Sequence, residues 1–224
     1  PHAYYYRTYK AKAVLSGEWT PWESLDVDIA AETVVPAILN QRLYLLWPQI
    51  TTGQREKTGT SSSGGMAQNE YFAKIQLCFT SHTGNSWTGT QMTKAAFYDV
   101  SEKQMDFALS DNESIEDRYH FRTKKGNSEG ISVAIVRSSY HYQEYEETQA
   151  AVDVTDDMTK TQKVTRRIYD TTRQFISELG SIDVFADGRE VVTTIENPTE
   201  QDLSLFAPAR SHLVHGVFVE EDEY

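Results

Sequence analysis

Val34-Val35-Pro36-Ala37-Ile38-Leu39-Asn40-Gln41-Arg42-Leu43-Tyr44-Leu45-Leu46-Trp47-Pro48 decides the fold of this chain. Two runs rich in aliphatic, β-branched and aromatic residues flank Asn40-Gln41, and such runs read as strands. Asn tolerates positive φ better than most residues, so Asn40-Gln41 serves as a two-residue hairpin turn without the usual glycine. Upstream, Tyr4-Tyr5-Tyr6-Arg7 and Leu25-Asp26-Val27-Asp28-Ile29 read the same way. The second of these alternates apolar and acidic residues, so one face packs and the other meets water. Between them, Ser16-Gly17-Glu18-Trp19-Thr20-Pro21-Trp22 places two indoles around a proline. Proline argues against a regular strand there. The expectation is a turn whose Trp19 and Trp22 pack as a plug on a small antiparallel sheet.

Downstream, strands are predicted over 71–79 and 91–98, with turn chemistry in Thr83-Gly84-Asn85-Ser86. Hairpins are predicted for 118–123 with 131–137, and for 182–185 with 189–192 around Asp187-Gly188, a strong turn signal. The stretch 165–179 reads either as one helix, with Ile168, Thr172, Phe175 and Leu179 on one face, or as a pair of strands; strands are favoured, because Thr171 and Thr172 are poor helix residues and Gly180 leads into a strand. Residues 52–69 are polar, contain Ser61-Ser62-Ser63-Gly64-Gly65, and are expected to form one long mobile loop. Residues 143–163, acidic and polar, are expected to form a long loop as well. Many short strands with regular turns predict an all-β chain of antiparallel sheets over 1–224, either a propeller segment or a β-sandwich.

Composition narrows the functional classes. The chain has 224 residues, a formal charge of −12 and a single cysteine. That charge disfavours nucleic acid, whose phosphates need clustered Lys and Arg, and it complements a basic partner surface. Cys78 alone makes no intrachain disulfide, so stability rests on a core, and Cys78 reads as a small buried hydrophobe. The chain opens at Pro1 already in strand-like sequence, and the expectation is a fragment of a longer protein. The six histidines lack metal-ligand spacing apart from His212 and His215, which have no third ligand at a matching offset. No cofactor motif is present in the sequence.

Thr80-Ser81-His82-Thr83-Gly84-Asn85-Ser86-Trp87 resembles a degenerate Asp-box, the turn between outer strands of sialidase-like propeller blades. Gly84, Ser86 and Trp87 fit that pattern, and His82 stands where Asp is expected. The turn is structural and marks no catalytic site. A sialidase needs an arginine clamp for the substrate carboxylate and a Tyr–Glu nucleophile pair with an acid. Arg7, Arg42, Arg118, Arg122, Arg137 and Arg173 sit in no such context. Tyr140-His141-Tyr142-Gln143-Glu144-Tyr145-Glu146-Glu147 sets Tyr beside Glu, but neighbours on a strand face opposite ways.

The order and spacing of the pieces quoted over 1–7, 19–29 and 34–48 resembles the neuraminidase-like region of the A component of bacterial Tc insecticidal toxin complexes. The structural motif carrying the resemblance comprises Trp19, Trp22, Arg42 and Trp47, with Gly84 and Trp87 of the Asp-box-like turn. The resemblance implies a secreted bacterial toxin component without enzymatic activity. It implies a homopentamer whose shell domains surround a translocation channel, with these domains at the closed end. It also implies a pH-released electrostatic lock between neighbours, and adjoining domains that meet a host receptor or surface glycans. His120, His141, Glu144, Glu146 and Glu147 are the candidates for the pH-sensitive interface, because imidazoles and carboxylates change charge on acidification. Two other classes stay open: an active sialidase-type glycoside hydrolase, and a carbohydrate-binding β domain.

Overall fold

The computed structural model describes residues 3–12, 16–56, 69–83, 86–101, 107, 115–124, 129–152, 159–202 and 219–221. All pairing among them is antiparallel. The Asn40-Gln41 hairpin joins β5 (Val35–Leu39) to β6 (Arg42–Glu56), as predicted. Asn40 has φ 50° and Gln41 φ 61°, the paired left-handed conformation whose twist matches that of the strands. β6 then pairs with β7 (Asn69–Ser81), whose other edge takes β8 (Gln91–Met92) and β9 (Phe97–Ser101). The predicted strand 91–98 is therefore divided. At the break the Thr93 N–H donates to the Leu77 carbonyl (2.9 Å) and the Thr93 hydroxyl accepts from the Leu77 N–H (3.1 Å). A side chain there takes the place of a ladder partner.

The second sheet contains β10 (Tyr119–Lys124), β11 (Gly130–Val152), β12 (Thr159–Phe185) and β13 (Glu190–Thr194), in that order. β14 (Glu200–Asp202) and β15 (Val219–Glu221) add to β12. Alternate residues of the two sheets meet in one core. Leu46, Ile75, Leu77 and Phe97 come from the first sheet, and Val133, Ile135 and Ile182 from the second. Two sheets packed face to face make a β-sandwich, and of the two all-β readings the sandwich describes this chain.

β6 runs Leu45-Leu46-Trp47 without alternation because both faces of its sheet are covered. Leu46 enters the inter-sheet core, while Trp47 (3 % exposed) and Cys78 join Leu25, Ile29 and Ala31 in a second cluster on the outer face. The N-terminal segment thus lies across the sandwich. It contributes two small sheets, β1 (Tyr5–Tyr6) with β4 (Glu23–Ser24) and β2 (Tyr9–Lys12) with β3 (Ser16–Trp19).

Besides the strand expected over 25–29, which the structure lacks because β4 ends at Ser24 and Leu25 and Ile29 pack from irregular chain, three sequence expectations are corrected. The loop expected over 52–69 is too long: β6 continues through Glu56 and β7 begins at Asn69, because the paired ladder runs on from Tyr44↔Ser81 to Glu56↔Asn69. Residues 57–68 lie outside the described residues. The loop expected over 143–163 is largely strand, since β11 and β12 stay paired from Gly130↔Phe185 to Val152↔Thr159. The third correction concerns the two indoles and is given with the site below. The strand reading of 165–179 agrees with β12 in type, but one continuous strand stands where a pair was expected.

Candidate functional site

Trp19 and Trp22 are 54 % and 62 % exposed, so the expected packed plug is overturned. The apolar places on the sandwich are filled by Leu25 and Ile29 instead. Trp19 ends β3, in a two-stranded sheet of its own that, among the described residues, pairs with no further strand. The rings pack on a cation. The Arg7 guanidinium lies 4.4 Å from the Trp19 ring and 4.7 Å from the Trp22 ring. Tyr9 stands 5.0 Å from Trp19. Gly17 makes this possible, because a Cβ there would sit 2.2 Å from the Tyr9 ring. Reciprocal bonds hold the base of the group: the Thr20 N–H donates to the Thr8 carbonyl and the Thr8 N–H to the Thr20 hydroxyl, both 2.8 Å.

The Asp-box-like turn is a clip. His82 and Trp87 form an isolated bridge, and the Thr83 N–H donates to the Ser86 carbonyl at 2.8 Å. Trp87 meets Tyr6 edge-on (5.6 Å) and His82 (5.0 Å), so the residue standing in the Asp position packs on the indole. The Tyr6 hydroxyl donates to Glu23 at 2.9 Å, and that bond, followed by burial, pushes the phenol pKa up. The turn thereby ties the N-terminal segment to the sheet. Gly84 lies outside the described residues. Arg42 is exposed at the start of β6, and Trp47 is buried as described above.

Sequence reading missed one polar cluster. Asp99 of β9, Tyr119 of β10 and Arg137 of β11 meet where the two sheets join. The Tyr119 hydroxyl donates to Asp99 Oδ2 at 2.8 Å. Arg137 Nη1 lies 2.8 Å from Oδ2 and 3.1 Å from Oδ1. Burial, and after it the Asp99 charge and hydrogen bond, drive the Tyr119 pKa far up. A phenol held so firmly protonated is a hydrogen-bond donor and a poor nucleophile. No local pattern announces the cluster, because its members are far apart in sequence and only strand pairing brings them together.

Other arginines are dispersed: Arg7 lies on the indoles, Arg122 pairs with Glu178 at 2.8 Å, and Arg55 with Glu70 and Arg189 with Asp187, both at 2.6 Å. The five interface candidates also divide. His120 is exposed on β10 opposite Val136. Glu144 lies farther along β11, roughly 25 Å away at ~3.3 Å per residue. His141 pairs with Asp170, Glu144 with Arg167, Glu146 with Thr165 and Glu147 with Val164. On the other edge of β12, Glu220 pairs with Arg167 and Glu221 with Arg166. The register thus sets Arg167 opposite both Glu144 and Glu220, and Arg166 opposite both Tyr145 and Glu221.

No curated protein and no solved structure matched the chain. A family model, the neuraminidase-like domain, matches residues 1–142, which is more than half of it. That span holds the N-terminal segment, the whole first sheet, β10 and the first part of β11. The chain belongs to the neuraminidase-like domain family, a domain found in Tc toxin A components.

Proposed function

We propose that this chain is a non-enzymatic structural and interaction domain in the shell of a secreted Tc toxin A-type protein. Its family membership carries the reading. Two observations support the absence of catalysis. The Tyr–carboxylate–Arg cluster that most resembles sialidase machinery is buried, with its phenol proton held in place. Arg7, Arg122 and Arg137 serve separate partners on separate elements, so these three do not converge on a substrate carboxylate. The test is release of dye from a fluorogenic sialoside across the acid-to-alkaline range. No turnover above the blank is expected. Robust turnover abolished by Arg42→Ala would return the chain to the glycoside hydrolases.

The finer part of the proposal is a contact between copies in a homopentamer, closed near neutrality. Glu144, Glu146 and Glu147 attract basic groups while ionised. Acid neutralises carboxylates and charges imidazoles, and strong alkali strips lysines, so a contact of this kind loosens at both extremes. Within the chain, Lys163, Arg166 and Arg167 of β12, Asp170 opposite His141, and Glu220 and Glu221 of β15 share this balance. Replacing the three glutamates by Gln should shift the pH at which the full-length shell opens, as seen by electron microscopy. An unchanged opening profile removes β11 from the contact. The exposed indoles favour a second reading, a carbohydrate-binding domain, which a glycan array separates from the first.

A further inference from the structure

We infer that Arg7, Trp19 and Trp22, with Tyr5 and Tyr9 beside them, form a docking site for the phosphocholine headgroups of a zwitterionic lipid bilayer. The inference goes beyond the shell reading and does not rest on it. Four aromatic side chains that each carry a polar handle are exposed on this segment: Tyr5 at 60 %, Tyr9 at 48 %, Trp19 at 54 % and Trp22 at 62 %. They lie on or next to the small β1–β4 and β2–β3 pairs, outside both sheets of the sandwich. Exposed ring surface gathered in one place marks an interaction site. Trp and Tyr are also the residues that collect at the headgroup level of membranes, with the ring toward the acyl chains and the N–H or O–H toward water.

Arg7 supplies the anion site. Its guanidinium packs on both indoles, 4.4 Å from the Trp19 ring and 4.7 Å from the Trp22 ring. Stacking uses the faces of a guanidinium and leaves its N–H edge for hydrogen bonds. Arg7 is exposed, and among the described residues no carboxylate pairs with it. Its planar fork matches two oxygens of a phosphate. The site is fixed in advance, because Tyr9 packs on Trp19 and Gly17 leaves the room that Tyr9 needs. Side chains already ordered lose little entropy on binding.

Charge selects the lipid. Glu18 adjoins Trp19 and Glu23 adjoins Trp22, and both are exposed, so the patch carries both signs. Anionic lipid attracts polybasic segments, and a chain of formal charge −12 is repelled by it. A phosphocholine headgroup carries both signs too. Its phosphate meets Arg7, and its trimethylammonium meets the aromatic rings, the surroundings in which quaternary ammonium groups are held. A sugar depends instead on placed polar groups that fix its hydroxyls. Beside the indoles, the Thr8 and Thr20 N–H groups bond within the chain, and Glu23 takes the Tyr6 hydroxyl.

The test is flotation of the 224-residue chain with phosphatidylcholine vesicles, and with vesicles enriched in phosphatidylglycerol or in phosphatidylethanolamine. Arg7→Met and Trp22→Ala are run alongside, with circular dichroism confirming that each variant folds. The wild type should float with phosphatidylcholine, with a blue shift of its indole emission. Each substitution should weaken that binding by at least about tenfold. Enrichment in either other lipid should weaken it as well. A wild type that ignores phosphatidylcholine vesicles overturns the inference, as does binding indifferent to both substitutions. Binding that grows with phosphatidylglycerol would reduce the contact to attraction for negative charge and overturn it. Equal binding to phosphatidylethanolamine, which lacks the trimethyl groups, would overturn the choline contact. Free phosphocholine bound without vesicles would mark a small-molecule site and refute docking on a bilayer. Binding on a glycan array that Trp22→Ala abolishes, with no vesicle binding, would assign the patch to sugar instead.

Discussion

Arg137 of β11 grips Asp99 of β9 through both carboxylate oxygens, at 2.8 and 3.1 Å, and so ties one sheet of the sandwich to the other. Asp99 is 8 % exposed, and the Arg137 side chain is 31 % exposed. Removing one member of a buried pair strands the other charge. Arg137→Met should therefore cost about 3 kcal/mol, whereas Tyr119→Phe, which removes a single hydrogen bond, should cost about 1 kcal/mol. Urea denaturation of the two variants checks the order. Alkali adds a second check. The folded-state pKa of Tyr119 is raised, so its contribution is fully present below the ordinary phenol value of about 10 and fades as pH rises past it. Tyr119→Phe should lose stability less steeply than the wild type in that range.

Gly180→Ala should destabilise by about 2 kcal/mol or more. A Cβ there would lie 2.0 Å from the Thr193 carbonyl oxygen on β13 and 2.8 Å from the Phe97 ring of the facing sheet. The position adjoins a bulge: Ile135 pairs with Gly180 and Val136 with Glu178, which leaves Leu179 extra. Thermal melts of the variant measure the loss, and a wild-type melting temperature would show that β13 yields freely.

Trp22→Ala and Trp47→Ala should separate cleanly. Trp47 is 3 % exposed in the outer cluster, and its truncation should cost about 3–5 kcal/mol. Trp22 is 62 % exposed, and its truncation should stay within about 1 kcal/mol. Equal losses in chemical denaturation would mean that Trp22 is packed after all.

How much of this could be read beforehand depended on whether a local signal existed. Asn40-Gln41 and Asp187-Gly188 announce their hairpins because turn chemistry is written in adjacent residues. The far part of β11 and the first residues of β12, 159–164, escaped notice. Gln143, Glu144, Glu146, Glu147, Thr148 and Gln149 lack the apolar alternation that marks a half-buried strand. Aromatic content identified Trp19 and Trp22 as notable, but composition does not say which side of an indole meets water. The Asp99–Tyr119–Arg137 cluster was invisible because three separate strands build it.

Glu178 gives a prediction in acid. Hydrogen bonds from Lys124, then from Arg122, hold its carboxyl below the usual range. A depressed carboxyl stabilises above its unfolded pKa, and that contribution is lost as pH falls through the folded value. The cations are well exposed, so the worth at neutrality is less than about 1 kcal/mol. Glu178→Gln should be slightly less stable than the wild type at neutral pH and should converge with it in acid. A constant gap between the two melting profiles down to strongly acid pH would show that the pairing has no part in acid stability.

The central claim is that this sandwich is an assembled structural part and not an enzyme. Electron microscopy of the full-length protein at neutral pH tests it most directly. The account predicts a multi-copy particle in which the two-sheet sandwich lies in the outer shell and touches a neighbouring copy. A monomeric full-length protein with the sandwich free in solution would contradict it.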